Sequence, residues 1–440
     1  MSGYAEYREV NLPWLKAVPA HWEIRRNKNI FTEQKEIVGE RSADYTLLSL
    51  TLNGIIPRDM DGGGKFPESF DKYKIVKNGD MAFCLFDIDE TPRTVGLSVY
   101  NGMLTGAYTI MRVSNINARF IYYYYLALDN GKMLRPLYTG LRKTININTF
   151  QSTKVPVPPR EEQDQIVRFL DWKVSSINKL INIKHKEISE LNESLNTKLR
   201  DVLLSVPNVK EVPLKRICSV PMTDGPHETP TFVDSGIPFV SAEASHDGRI
   251  HLDECRGFIT REQHEVYCQK VRPHKNDIFI VKSGSTTGKT VMVDFDEEFS
   301  IWSPLALVRC NNLAMPRYVF FYCTSVMFQK QVRDNWSFGT QPNIGMGVLE
   351  NLRLPLPEIE EQRAIVDTLD AYWSKVLQVK CNLKKQIEEF QSLKTRIIAD
   401  AVTGKIDVRG IEIPEYEFVD EDADADNEDD GEEDTEEQED

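Results

Sequence analysis

The sequence predicts an α+β protein in which two α/β globular units alternate with two long helices. The helices are expected to pair as an antiparallel coiled coil, and a disordered acidic tail closes the chain. Three observations predict this: an internal duplication, two long runs without Pro or Gly, and the placement of charge.

The duplication organises everything else. Val155-Pro156-Val157-Pro158 returns as Leu354-Pro355-Leu356-Pro357, and Glu161-Glu162-Gln163 returns as Glu360-Glu361-Gln362. Ile166-Val167 and Leu170-Asp171 return as Ile365-Val366 and Leu369-Asp370, always 199 residues on. The preceding segments match more loosely. Lys77-Asn78-Gly79-Asp80 parallels Lys275-Asn276-Asp277 ahead of apolar strands that lie 197 residues apart, and Arg112 pairs with Arg309 at the same offset. The layout is therefore globular unit (1–154), helix (155–207), globular unit (208–353), helix (354–410) and tail (411–440). Similar helices beside diverged globular units suggest a shared frame with two different specificities.

Each helix opens on a proline cluster, which favours neither strand nor helix interior. Acidic residues follow in the first turn, where the helix dipole favours them (Glu161, Glu162; Glu358, Glu360, Glu361). No Pro or Gly then occurs up to Leu204 or Thr403, a rod of about 65 Å. Pro207 and Gly404 supply the stops. Apolar positions alternate three and four apart, a heptad pattern. The first seam runs Ile177, Ile181, Lys184, Ile188, Leu191, Leu195, Lys198, Val202. The second runs Val376, Lys380, Leu383, Ile387, Phe390, Lys394, Ile397, Ala401. Lysines in a seam cost stability but can set register. The alternative is that each helix packs on its own globular unit.

The formal net charge of −15 conceals its distribution. Residues 411–440 hold 18 of the 68 acidic residues and no Lys or Arg, leaving 53 basic against 50 acidic residues elsewhere. Such a tail has too little apolar surface to fold, and either solubilises the chain or competes for basic surfaces as a DNA mimic. No apolar run is long enough for a membrane span, and no signal-peptide pattern opens the sequence. Seven scattered cysteines without a C-x-x-C pair suggest reduced thiols in a cytoplasm.

Both globular units read as strand-rich with a peripheral helix. Strands are expected at 45–52, 81–86, 108–113, 278–282, 291–295 and 305–309, and helices at 120–128 and 317–333. The end of the first unit carries Lys132, Arg135, Tyr138, Arg142, Lys143 and Asn146 with no acidic residue after Asp129. Its counterpart carries Lys330, Arg333, Trp336, Gln341 and Asn343. Arginine reads guanine edges and Asn or Gln reads adenine, while lysines and hydroxyls hold phosphates. A solvated loop closing each domain is the plain alternative. Thr223-Asp224-Gly225-Pro226-His227 forms a stiff polar loop able to reach a groove, with Thr223, Asp224 and His227 as its contacts. Gly284 to Thr290 resembles a phosphate loop but has one residue too few between its glycines and no following helix. A plain hairpin, or a turn near DNA phosphate using Lys282, Ser285 and Lys289, fits better.

Other chemistry finds little support. His251, Cys255, His264 and Cys268 lack the paired short spacing of zinc modules, and read as buried thiols and surface histidines. No metal ligand or catalytic residue is assigned. Asp87, Asp89 and Glu90 form a carboxylate cluster, compatible with a turn, an acceptor for cytosine amino groups, or a nuclease metal site.

Taken together, these motifs resemble the specificity subunits of type I restriction–modification systems. The resemblance covers residues 12–410 and rests on the duplicated Pro-rich entry, Glu-Glu-Gln and Ile-Val. Val18-Pro19-Ala20-His21-Trp22, the Thr223–His227 loop and Ala401-Val402-Thr403-Gly404-Lys405-Ile406-Asp407 add to it. It implies two target recognition domains reading the halves of a split site in double-stranded DNA, with the helix pair as ruler. It implies partners too: two methyltransferase subunits and translocating restriction subunits. S-adenosylmethionine, ATP and Mg are then expected in those partners, and no cofactor or active site in this chain. The competing readings are a single-chain metal-dependent nuclease and a coiled-coil protein-binding scaffold.

Overall fold

The computed structural model describes residues 3–58, 69–138, 143–338 and 341–421. The chain divides into two compact units, Met1–Lys184 with Lys385–Ala423, and a second whose described part is His185–Lys384. The division runs through both long helices, so each unit joins one globular body to half of each helix.

In the first unit a four-stranded antiparallel sheet runs in the order Phe31–Gln34, Thr109–Val113, Asp80–Phe83, Val95–Leu97. Asp80–Phe83 is buried at every position, as expected of a central strand covered on both faces. The tyrosine-rich helix Ala118–Asn130 covers one face, its first turn capped by the Asn117 side chain. Tyr125 of this helix packs with Phe83 and Phe150, ring centroids 4.8–5.6 Å apart.

The second unit repeats this sheet with Thr223–Asp224, Leu305–Val308, Ile278–Val281 and Thr290–Met292 in the same order. The duplication extends to a salt bridge across the two central strands. Arg112 Nε lies 3.1 Å from Asp80 Oδ1, and Arg309 Nε lies 2.7 Å from Asp277 Oδ1. Each aspartate also accepts a backbone N–H three residues upstream, from Lys77 and His274.

Several expectations need correction. The strands are shorter than expected: the pairing covers Leu48–Thr51 and Thr290–Met292, not 45–52 and 291–295. The helix expected over 317–333 is two, Pro316–Thr324 and Val326–Asn335, because Ser325 adopts extended backbone (φ −68°, ψ 151°). The proline clusters do enter strands. Lys154–Val157 pairs with Glu23–Arg26, and Arg353–Pro355 with Glu211–Pro213. Both are two-stranded ribbons, where an edge position spares proline the missing N–H.

The Glu-Glu-Gln repeats fasten the helices to the globular bodies. Gln163 accepts from the Asn117 N–H and donates to Pro158 O. Gln362 accepts from Met315 N–H and donates to Leu313 O and Pro357 O. Both glutamines are buried, ahead of the helices Ala118–Asn130 and Pro316–Thr324. Glu162 has a further role: it accepts from Tyr4 Oη at 2.6 Å and Trp22 Nε1 at 2.9 Å, and meets His21 Nε2 at 2.7 Å. The matching Glu361 is exposed and, among the described residues, bonds its own helix start at Glu358 N.

Two 44-residue helices, Arg160–Leu203 and Ile359–Val402, supply the frame. They run antiparallel. In the first unit Lys394 Nζ is 3.2 Å from Asn178 Oδ1; in the second, Ser194 Oγ is 2.7 Å from Tyr372 Oη. Ile177, Ile181, Leu195, Val376, Leu383 and Ile387 are buried as the seam requires, while Ile188, Leu191, Phe390 and Ile397 are half-buried. Toward the ends the seam steps by one residue: Leu199 and Leu203 are buried where Lys198 and Val202 were expected, and Ile398 replaces Ile397. A straight helix drifts about 20° per heptad, and there the helices join the cores of the globular bodies. Each helix thus packs both on its partner and on a globular body. Gly404 ends the second helix with φ +74°, and a Cβ there would lie 2.4 Å from the Pro19 ring.

Two seam lysines are neutralised. Lys380 lies 3.8 Å from Asp247, and Lys394 meets Glu421. The latter contact corrects the expected start of disorder at 411. Residues 416–421 run as an extended strap along the first helix. Ser175 Oγ donates to Glu417 O at 3.0 Å and accepts from Val419 N at 2.8 Å. Asn178 and Asn182 donate to Val419 O and Asp420 O at 3.1 and 2.9 Å. One repeat later these positions are Ser374, Leu377 and Cys381, so the polar row occurs once. The rest of the acidic tail lies outside the described residues. Replacing Ser175 and Asn178 by Ala removes the side-chain partners of 417–419. We expect amide exchange of 416–421 to rise at least tenfold while that of the first sheet is unchanged.

Candidate nucleic-acid interface

Each unit builds the same local arrangement. The loop after the buried central strand lies against the segment that precedes a short helix. In the first unit Phe86 bridges Thr144, Asp87 N donates to Lys143 O, and Ile145 N donates to Leu85 O. In the second, Ser283 bridges Asn343, Gly284 N donates to Pro342 O, and Ile344 N donates to Lys282 O. Residues far apart in sequence therefore share one edge of each unit.

In the first unit most predicted contacts are already engaged. Tyr138 Oη donates to Asp89 at 2.6 Å, and this bond holds the Asp89 carboxyl below the usual carboxylate range. Lys143 pairs with Glu90 and lies 3.5 Å from Asp89; Arg135 is 3.9 Å from it. Lys132 Nζ donates to Thr91 O at 2.7 Å and Asp129 at 2.9 Å. Asn146 caps the helix Ile147–Ser152. Arg142 lies outside the described residues. The carboxylates Asp89 and Glu90 thus anchor the basic segment and orient it. Asp87 itself sits at φ +42°, unusual for a residue other than glycine, at the tip of this loop.

In the second unit Asp224 is a buried hub. Lys270 and Lys282 approach it at 2.6 and 3.0 Å, and His227 at 3.3 Å. Burial works against its charge, yet the two ammonium groups outweigh it and hold the carboxyl below its ordinary range. Thr223 pairs with Leu307 in the sheet. Gly225 admits the close turn that follows, since a Cβ there would lie 2.2 Å from Ile301 O.

The phosphate-loop look-alike is a hairpin, as its spacing suggested. Gly284 and Gly288 take φ +99° and +97°, and Lys289 N donates to Thr286 O. Ser285 is exposed at its tip. Gln329 donates to Gly288 O, so the helix bearing Lys330 and Arg333 adjoins the hairpin. Lys289, Lys330 and Arg333 have no carboxylate partner among the described residues, unlike Lys132 and Lys143 of the first unit. Gln341 and Asn343 are exposed beside the hairpin, while Trp336 packs partly against the core. The sequence reading passed over Lys270, Arg93 and the buried Asp129, which gathers Thr94, Arg93 and Lys132. No local motif marks Arg93 and Lys270, whose carboxylate partners are 36 and 46 residues away.

His251, Cys255, His264 and Cys268 do not converge, and the two thiols are half-buried rather than buried. His264 is buried, not on the surface, and burial lowers its pKa. It faces Cys268 and Ser300, whereas His251 stacks on His246.

Comparison with known proteins fits this duplicated design. The family model for the type I restriction modification DNA specificity domain matches residues 68–193 and 208–389. The chain belongs to this family. The type I restriction enzyme MjaVIII specificity subunit of Methanocaldococcus jannaschii is 24% identical over 92% of this chain and 98% of its own. The putative MjaX specificity subunit of the same organism is 23% identical over 89% and 95%. A solved structure, described as the structural basis of complex assembly and conformational transition of the type I R-M system, aligns with TM-score 0.55. It has 16% identity and covers 88% of this chain and 99% of that one, a likeness of fold.

Proposed function

We propose that this protein is the DNA-reading subunit of a type I restriction–modification complex. Its two globular units each read one half of a split duplex site, and the paired helices set the distance between the halves. The observation that carries the reading is the duplicated loop-against-segment edge, whose two copies carry unlike residues: Lys143 and Thr144 in the first, Pro342 and Asn343 in the second. The same fold is thereby offered twice with unlike chemistry, as two unlike half-sites require. Methyltransferase and restriction subunits supply catalysis, with S-adenosylmethionine, ATP and Mg bound there, and the assembly works in the cytoplasm. No helix of the described chain is long and apolar enough to cross a membrane.

The nuclease alternative draws no support from the Asp87–Glu90 cluster, because Tyr138 and Lys143 engage two of its three carboxylates, Asp89 and Glu90.

In the second unit, Lys289, Lys330 and Arg333 serve phosphates, and Gln341 and Asn343 read bases. Replacing any of the three cations by Ala should weaken binding to all duplexes alike and lower the salt slope by about 0.9 per lost phosphate contact. Replacing Asn343 by Ala should relax one base position in one half-site, at about 1–3 kcal/mol of discrimination. Both are read by equilibrium binding of the subunit–methyltransferase complex at several salt concentrations. A sequence-selective loss from Lys330→Ala would overturn the assignment.

A further inference from the structure

We infer that Cys218 and Cys310 form an oxidation site, where a reversible cross-strand disulfide staples the sheet of the second unit. The two residues face each other in an antiparallel bridge. The backbone bonds beside them fix the kind of pair. Ser219 N donates to Arg309 O at 2.8 Å, and Asn311 N donates to Ile217 O at 2.7 Å. These bonds flank the cysteines, which therefore occupy a non-hydrogen-bonded position. There opposed Cα atoms lie about 4.5 Å apart and the two side chains share one face. A disulfide spans Cα separations of about 4.4–6.8 Å. The register thus sets two thiols where rotation about χ1 closes a bond without moving the backbone.

The surroundings agree with this placement. Both side chains pack against one apolar core, which also holds the buried Cys323 of the helix Pro316–Thr324. Both thiols are free and half-buried, so a small oxidant reaches them. Cys218 Sγ donates to Leu214 O at 3.3 Å, a contact given up when the bond forms. Asn311 Nδ2 donates to Arg216 O at 3.1 Å and to Cys218 O at 3.3 Å, tying the two segments together at this point.

The oxidant is a peroxide. One thiolate attacks a peroxide oxygen and breaks the O–O bond, giving a sulfenic acid and a first water. The second sulfur attacks the sulfenic sulfur, forms the S–S bond and releases the hydroxyl as a second water. Two thiols and one hydrogen peroxide give one disulfide and two waters, with two electrons passing from sulfur to oxygen. Burial pushes Cys218 up to about 11, with a contribution from Glu350, and Cys310 up to about 12, with contributions from Cys218 and Asp277. Burial also holds the Cys323 thiol well above its ordinary value. Thiolate is the reactive form, so oxidation is slow near neutrality and its rate rises about tenfold per pH unit between about pH 7 and about pH 9.

The bond would enclose all four strands of the sheet, Thr223–Asp224, Ile278–Val281, Thr290–Met292 and Leu305–Val308. Closing so long a loop restricts the unfolded chain and stabilises the folded unit. In a reducing compartment such a bond is transient, so the staple lasts only while oxidant does.

The test uses the full chain carrying Cys381→Ser, which removes an exposed thiol able to link two molecules. Hydrogen peroxide at about pH 8.5, then alkylation and peptide mapping without reductant, should join the Cys218 and Cys310 peptides and lower the free-thiol count by two. The melting temperature should rise by about 5–10 °C, and dithiothreitol should reverse every change. Cys218→Ser and Cys310→Ser should each abolish the bond and the rise, with far-UV circular dichroism confirming the fold. Cys323→Ala should keep both. The proposal is overturned if peroxide joins Cys323 to either residue, or takes 218 and 310 to sulfinic acids without a bond. It is also overturned if both thiols stay free after a day in excess peroxide, or if the bond forms and the melting temperature does not rise.

Discussion

Removing one heptad from each long helix, residues 184–190 and 382–388, should move the two recognised half-sites about three base pairs closer and leave the bases in each unchanged. Seven residues span about 10 Å of helix, and duplex DNA rises about 3.4 Å per base pair. The deletions preserve the seam. Ile181 is then followed by Leu191, and Lys380 by Phe390, so apolar and lysine positions keep their phase. They also spare both ends of each helix, where Gln163 and Gln362 fasten it to its globular body. Methylome sequencing of a host carrying the shortened subunit with its methyltransferase reads the outcome. Altered half-site bases at unchanged spacing would refute the ruler. A removal of three or four residues breaks the phase and should abolish methylation, through loss of the helix pair.

The second large effect separates two versions of one salt bridge. Arg309→Ala should destabilise the second unit by about 3–5 kcal/mol, the cost of stranding a buried partner. Asp277 is 1% exposed, and Arg309 gives it two bonds of 2.6–2.7 Å. Arg112→Ala should cost about 1 kcal/mol. Asp80 is as buried as Asp277, but the Arg112 side chain is 45% exposed and makes longer bonds of 3.1 and 3.4 Å, so water can take its place. Hydrogen exchange in strands Ile278–Val281 and Asp80–Phe83 measures the two independently. Equal losses in both would show that burial does not govern these pairs.

Much of the fold was legible because its signals are local or repeated. Heptad spacing and the run free of Pro and Gly located both long helices, and the fixed offset exposed two related sheets. The seam failed only where it drifts, at Leu199, Leu203 and Ile398, because period alone ignores the globular body that the helix end joins. Ser325 breaks a helix that composition could not break. The strap was missed for a related reason. Its composition is that of a disordered tail, yet Ser175, Asn178 and Asn182 offer its backbone specific partners 238–244 residues away. The candidate interface was legible as residue types and not as roles. Lys132, Tyr138, Lys143 and Asn146 carry the right chemistry, and the folded chain uses it on Asp129, Asp89, Glu90 and a helix start.

The strap at 416–421 also makes two otherwise repeated seats unequal. A partner that recognises the face around Ser175 must displace or accommodate the segment already lying there, whereas among the described residues no such segment is held by Ser374, Leu377 and Cys381. A partner common to both repeats would therefore be expected to bind the two with different affinities.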